Sequence, residues 1–231
     1  GGRGLWDEDD GFYYDQLLLE GTSTHLKLRA LIGLIPLLAV QILDEDVRSA
    51  LPDFAERVEW FLAYRKDFIK GVSEMEVRGV EPHRHALLSL PGRQRLERAL
   101  RYLLDESEFL SPYGVRSLSR VYKDRPYVFR AAGEDREYTV AYVPGDSDSA
   151  QFGGNSNWRG PVWFPINILL IEALREYHRY YGDTFQIECP TGSGRFTDLD
   201  GVAHELAERL ASLFVPQEGR MRPCHGSFAR Y

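Results

Sequence analysis

The spacing of apolar and polar positions sets the first expectations for the chain. From Phe54, the residues Val58, Phe61, Leu62 and Ile69 recur at intervals of three, four or seven, which puts them on one helical stripe and leaves Glu56, Arg57, Glu59 and Lys66 to face water. The same period returns from Ile166 through Leu169, Leu170, Ala173, Leu174 and Tyr177, with Gly182 as its stop. It is cleanest from Leu199 through Val202, Ala203, Leu206, Leu210, Leu213 and Phe214, where Asp198 or Asp200 stands ready to cap the helix start. Lys27 to Leu43, with Pro36 near its middle, and Arg93 to Leu104 complete a set of five predicted helices. Strand signals are fewer: Glu137–Val143 and Phe185–Glu188 are short, rich in β-branched or aromatic residues and bounded by turn residues. Two Gly-rich connectors stand out, PGDSDSAQFGGNSN at 144–157 and PTGSGRFTD at 190–198. A structureless loop as long as the first is usually functional or mobile. Helical hairpins joined by elaborated loops predict a mainly α fold, an α/α toroid or bundle with a few short strands in its rim loops. No linker divides the chain, so residues 1–231 are expected to form a single domain.

Composition narrows the partners. Apolar residues make up 43% of the 231 positions, enough to bury a core. The formal charge of -7 argues against nucleic acid, which needs a basic face to release counterions, and suits neutral ligands such as sugars. Cys189 and Cys224 make neither a disulfide framework nor a zinc-binding pair, so a reducing, cytoplasmic setting is expected. The most apolar run, Ala30 to Leu43, is interrupted by Gln41 and falls short of the roughly 18 residues of a membrane span. No secretory leader is expected either.

Two stretches carry candidate chemistry. WDEDDGFYYD, Trp6 to Asp15, alternates carboxylates with aromatic faces. Carboxylates accept hydrogen bonds from sugar hydroxyls, and flat rings cover the C–H faces of a pyranose, which makes Trp6, Asp10 and Tyr13 candidate sugar contacts. An acidic solvated loop with its aromatics tucked into the core is the plainer reading. GGNSNWRGPVWFPINILL, Gly153 to Leu170, is denser still. Trp158 and Trp163 can approach one another across a turn, and Arg159 offers a rigid fork of donors to a carboxylate or hydroxyl. Asn155 and Asn157 supply both donors and acceptors, while Gly154 and Gly160 let backbone come close to a ligand. Here the plainer reading has both tryptophans packing the helix while Asn155 or Asn157 caps it. Arg116, within SPYGVRSLS, is either a second fixed donor or a structural arginine.

Other signals are poorer. His83 and His85 lack neighbouring acidic or Cys ligands, and His178 and His204 fall on helices where ordinary roles suffice. PTGSG lacks the G-K-[ST] of a phosphate loop, and no G-x-S-x-G is present. Neither a metal nor a cofactor is expected.

Together, WDEDDGFYYD, SPYGVRSLS, GGNSNWRGPVWFPIN and ECPTGSG make the chain resemble the catalytic domain of glycoside hydrolase family 63, in particular its bacterial, mannosylglycerate-hydrolase-like branch, over nearly its whole length. The resemblance implies an (α/α)6 barrel, present here as a central to C-terminal part incomplete at both ends. It implies hydrolysis of α-glycosides by inversion, with an α-glycoside or oligosaccharide as substrate and without metal or cofactor. Trp158, Arg159, Gly160 and Trp163 would line the sugar pocket beside Gly154, with Asn157 standing where many relatives carry a Tyr. It places the general acid upstream of Gly1 and the general base beyond Tyr231. A pair drawn from Asp7 or Asp10 and Asp146 or Asp148 is the alternative within the chain. The competing function is a non-catalytic carbohydrate-binding or scaffold α/α module. The oligomeric state is left open, since half a toroid would expose apolar helix faces that favour association.

Overall fold

The structure, a computed structural model, describes residues 4–19, 21–64, 74–78, 85–131, 135–143, 161–216 and 222–226. Two hairpins open the chain: β1 (Trp6–Asp7) pairs antiparallel with β2 (Phe12–Tyr13), and β3 (Asp15–Leu19) with β4 (Thr22–Leu26). The α-helix expected from Lys27 to Leu43 does not form. In its place stand extended residues, a 3-10 helix at Leu31–Leu38 and strand β5 (Val40–Asp44). Pro36 explains the change, because it has no amide hydrogen and its ring clashes with the carbonyl four residues back in an α-helix. The tighter helix repeats every three residues, which buries Leu31, Leu34 and Leu37 in line.

β5 is one edge of a three-stranded antiparallel sheet of order β5–β7–β6, in which β6 is Glu74–Arg78 and β7 is His85–Ser89. Ile42 faces Leu87 across it, both buried. Between β5 and β6 lie α1 (Glu45–Ala50) and α2 (Pro52–Tyr64). α2 forms as its period predicts, but two residues of its stripe are exposed: Phe54 is 44% and Phe61 41% exposed, beside a stacked Trp60–Tyr64 pair with centroids 5.7 Å apart. Ile69 lies outside the described residues.

The remaining helices hold the core. α3 (Arg93–Leu103) buries Leu96, Ala99, Leu100 and Leu103; α4 (Phe164–Tyr181) runs to Gly182; and α5 (Leu199–Ser212) starts on Asp198, whose Oδ1 accepts the Gly201 amide at 2.8 Å. α4 packs along α5 and also against β5, β7 and the 3-10 helix. Fully buried side chains such as Leu206 each contribute about 1.5–3 kcal/mol by leaving water. One contiguous core links Phe12, Leu31, Leu100, Phe109, Tyr177 and Leu206, and a smaller cluster gathers Leu28, Leu118, Tyr122 and Val140.

Short strand pairs fill the connections: β8 (Leu110–Ser111) with β9 (Gly114–Val115), β10 (Tyr127–Arg130) with β11 (Glu137–Val140), and β12 (Ile187–Glu188) with β13 (Phe196–Thr197). The expected strands therefore exist but are shorter, since only the paired residues qualify.

The fold class needs correction. Among the described residues the fold is not a mainly α partial toroid: five α-helices stand with thirteen short strands in six antiparallel sheets, five of them two-stranded. Four of the five helices match segments of the period analysis; the fifth predicted segment is replaced by 3-10 helix and strand, and α1 was not predicted. A two-residue strand carries no alternation to read, which accounts for the misses among the six shortest strands; the five-residue strands β3 to β7 were not predicted either. No helix among the described residues is long and apolar enough to cross a membrane.

Candidate functional site

The acidic stretch folds into a tight hairpin because its turn satisfies itself. The Gly11 amide donates to the Asp7 carbonyl at 2.8 Å and the Asp10 amide to Asp7 Oδ1 at 2.9 Å. Gly11 has φ +70°, and a Cβ there would collide with the Arg98 guanidinium. The turn sends Phe12 and Tyr14 into the core, where Phe12 stacks on Phe109 at 5.9 Å. Trp6 and Tyr13 meet edge to face at 4.7 Å, and the guanidiniums of Arg95 and Arg98 lie 5.2 and 5.6 Å from the centre of the Trp6 ring. The stacking surface of Trp6 is thus engaged by cations of the same chain, and Tyr13 is buried, with its hydroxyl pKa pushed up by that burial. The indole N–H of Trp6 lies near the Glu8 carboxyl without closing a full hydrogen bond, and together with Arg95 it holds that carboxyl below the usual range.

Next to this hairpin a charge network runs inward. Lys27 Nζ stands 3.0 Å from Asp7 Oδ2 and 3.1 Å from Asp10 Oδ2, and the Tyr14 hydroxyl donates to Asp10 Oδ2 at 3.0 Å. The Asp10 amide, then Lys27, lowers the Asp7 pKa to about 2. Deeper, Arg29 clasps Glu108 with Nε to Oε2 at 3.0 Å and Nη2 to Oε1 at 2.8 Å, while the Ser119 hydroxyl donates to the same carboxylate. Burial pulls the Arg29 guanidinium down, but the Glu108 carboxylate more than offsets this and holds its pKa above the ordinary value. Tyr122 Oη accepts the Arg29 amide at 2.8 Å. Lys27, Arg29, Glu108 and Ser119 were not singled out as site residues from sequence. Glu108 is one acid among several, and its partner is 79 positions away.

Glu108 also joins this network to the second arm. Arg116 is buried, and its Nη1 donates to the carbonyls of Glu106 at 3.2 Å, Glu108 at 3.3 Å and Leu110 at 2.5 Å. Burial pulls its pKa down. The structural alternative for Arg116 matches this geometry, since those three carbonyls belong to its own fold. Past Arg116 the chain meets the lead-in to α4: the Ser117 amide donates to the Pro161 carbonyl at 2.8 Å, and Arg116 bridges Val162. Trp163 is the N-cap residue of α4, half-buried against the core. Its carbonyl accepts the Asn167 amide at 3.2 Å and Asn167 Nδ2 at 3.0 Å. Fully buried Asn167 also pairs with both backbone groups of Val115, accepting its N–H at 2.6 Å and donating to its carbonyl at 3.1 Å. Gly114 beside it has φ +111°, and a Cβ there would meet Asn167 Oδ1 at 2.8 Å. Gly154, Asn155, Asn157, Trp158, Arg159 and Gly160 lie outside the described residues, as do Asp146 and Asp148.

A shallow groove of about 240 Å³ lies beside the hairpin, lined by Asp10, Arg98, Arg101, Tyr102, Asp105 and Thr191. It brings WDEDDGFYYD and PTGSG together. Thr191 reaches it because its hydroxyl donates to the Arg101 carbonyl at 2.9 Å and its amide to Leu104 at 3.0 Å, which satisfies two carbonyls at the end of α3. The PTGSG turn itself is closed, because Glu188 accepts the amides of Gly192 at 2.8 Å and Gly194 at 2.5 Å. Those amides face a carboxylate of the chain, whose charge would repel a phosphate.

A family model described as the mannosylglycerate hydrolase MGH1-like glycoside hydrolase domain matches residues 72–220. An uncharacterized protein of Saccharomyces cerevisiae is 45% identical over 224 residues, a stretch covering 96% of the chain and 20% of that protein. The chain thus spans about a fifth of the length of this curated relative. No solved structure matches the chain.

Proposed function

We propose that this chain, which belongs to the mannosylglycerate hydrolase MGH1-like glycoside hydrolase domain family, serves the hydrolysis of an α-linked glycoside by inversion and supplies one wall of the sugar site. The observation that carries the reading is the span of the family match: residues 72–220 take in Arg116, the whole of Gly153–Leu170 and the PTGSG turn. Within it, Trp158 and Trp163 are assigned to the faces of a pyranose, Arg159 to a carboxylate or hydroxyl, and Asn155 and Asn157 to ring hydroxyls. Gly154 and Gly160 give the backbone room to approach. Trp6, Tyr13 and Arg116 are engaged by groups of the chain itself and are assigned supporting roles, and Asp10 is kept as a candidate contact.

Inversion requires two carboxyls about 6.5–9.5 Å apart, one protonated to release the leaving group and one ionised to activate water. Asp7 and Asp10 do not suit that task as a pair. Both sit within 3.1 Å of one ammonium nitrogen, which brings their oxygens closer than a water-spanning pair allows, and Asp7 at about 2 is ionised at neutral pH. Glu108 is locked against Arg29 and Ser119. In this proposal the acid and base come from outside residues 1–231, within a longer protein; the alternative pair, Asp7 or Asp10 with Asp146 or Asp148, includes residues outside those described.

Sugar release from aryl α-glucosides, compared between this chain and a version extended at both ends, is the test. The extended protein should turn over, and Trp158→Ala and Arg159→Ala should each cost it at least about a hundredfold. Turnover that survives both changes would defeat the site assignment. Sugar binding without turnover in the extended protein would favour the non-catalytic module, a reading to which the locked states of Asp7, Asp10 and Glu108 lend support.

A further inference from the structure

We infer that His178, Asp183 and Asp198 form a site for one divalent transition-metal cation of the zinc class. The three come from three elements: His178 from the last turn of α4, Asp183 from the 3-10 turn Gly182–Thr184, and Asp198 from the N-cap of α5. Among the described residues, one ligand atom from each lies within 4.8 Å of the others. His178 Nδ1 is 3.9 Å from Asp198 Oδ1, too far for a hydrogen bond, yet that nitrogen is buried and has no hydrogen-bond partner. A ring nitrogen stripped of water and left unpaired is costly, and a bound ion is one of the standard explanations for it.

The dimensions fit. Zinc lies about 2.0–2.2 Å from nitrogen and oxygen ligands, which sets tetrahedral donors about 3.4 Å apart, so closing on a cation asks each side chain to move by a fraction of an ångström to about one ångström. Capping uses Oδ1 of Asp198 for the Gly201 amide, and the carboxylate retains further lone pairs for a metal. Two carboxylates and a neutral imidazole cancel a dication. The C-terminal end of α4 favours positive charge while the N-terminal end of α5 opposes it, so the two carboxylates decide the balance. Calcium and magnesium prefer all-oxygen sets, whereas an imidazole with two carboxylates suits zinc, cobalt or manganese. The ion would pin the facing ends of α4 and α5 across the loop that carries PTGSG.

The experiment is calorimetric titration of the chelator-treated full chain with zinc sulfate, with thermal unfolding followed in parallel. One equivalent should bind and raise Tm. His178→Gln, Asp183→Asn and Asp198→Ser should each weaken binding by more than about tenfold, Ser being chosen because it retains the helix cap. His204→Gln, which removes the exposed His204–Glu208 pair at 3.2 Å, should leave binding unchanged. Asp183 is exposed, so its variant reports even if another fails to fold. Absence of binding at millimolar zinc, or undiminished binding in both His178→Gln and Asp183→Asn, would overturn the inference. Because the readout is metal binding and not turnover, its failure leaves the glycosidase proposal standing.

Discussion

Asn167→Leu tests whether the lead-in to α4 is held by a side-chain amide or by apolar packing. Leucine approximates the branched shape of asparagine but offers no donor or acceptor. The Trp163 carbonyl keeps the backbone amide of residue 167 at 3.2 Å, so the groups left without a partner are the N–H and C=O of Val115. Each such orphan costs about 1–3 kcal/mol, or about 2–6 kcal/mol for the pair. The buried leucine returns about 1.5–3 kcal/mol. A net loss of about 2 kcal/mol follows, which in a chain of this length lowers Tm by about 4–8 °C. Urea unfolding followed by tryptophan fluorescence should show a lower midpoint at an unchanged slope. Asn167→Asp should be worse than leucine: it still accepts the Val115 N–H but buries a charge against the carbonyls of Val115 and Trp163. Stability of the leucine variant within about 0.5 kcal/mol of the parent, or an aspartate variant milder than leucine, would refute the assignment of Asn167 as the clamp.

The remaining predictions concern charge and thiols. The folded Asp7 pKa of about 2 lies below the ordinary aspartate value of 3.8, so its ionised form contributes stability that is complete above the unfolded pKa and is lost as pH falls from about 4 through 2. Asp7→Asn should cost on the order of 1 kcal/mol at pH 7 after solvent screening, and that difference should shrink toward zero near pH 2; a pH-independent difference would rule out the charge as its source. Cys224 is exposed, whereas burial pushes the Cys189 thiol up to about 11. A disulfide dye at pH 8 should therefore titrate Cys224 quickly and Cys189 only after denaturation, and rapid reaction of both in the native chain would contradict the buried placement.

How much could be read beforehand depends on whether a signal was local. α3, α4 and α5 were legible because burial of one face writes a 3.6-residue period into the chain, and Asp198 was identifiable as one of two possible caps. The stripe of α2 was equally periodic yet leaves Phe54 and Phe61 exposed, since a period records which face is apolar and says nothing of what covers it. The segment around Pro36 misled the helical reading because a three-residue repeat serves a 3-10 helix as well as an α-helix. In the candidate site, the aromatic and acidic composition of Trp6 to Asp15 announced an unusual element. Its partners did not announce themselves: Arg29 with Glu108, or Asn167 with Val115, are pairs separated by 79 and 52 positions.

From residue order alone, the periods of four of this protein's helices, the acidic and aromatic character of Trp6 to Asp15 and the likeness to glycosidases followed, because each depends on neighbours a few positions apart or on a contiguous string. Tertiary structure alone decided that Trp6 lies under guanidiniums, that Arg116 binds carbonyls of its own fold, and that Asp7 and Asp10 share one lysine. Those outcomes turn on which distant groups are desolvated together, and the strength of a charge or hydrogen bond is set by that surrounding medium as much as by the residue that bears it.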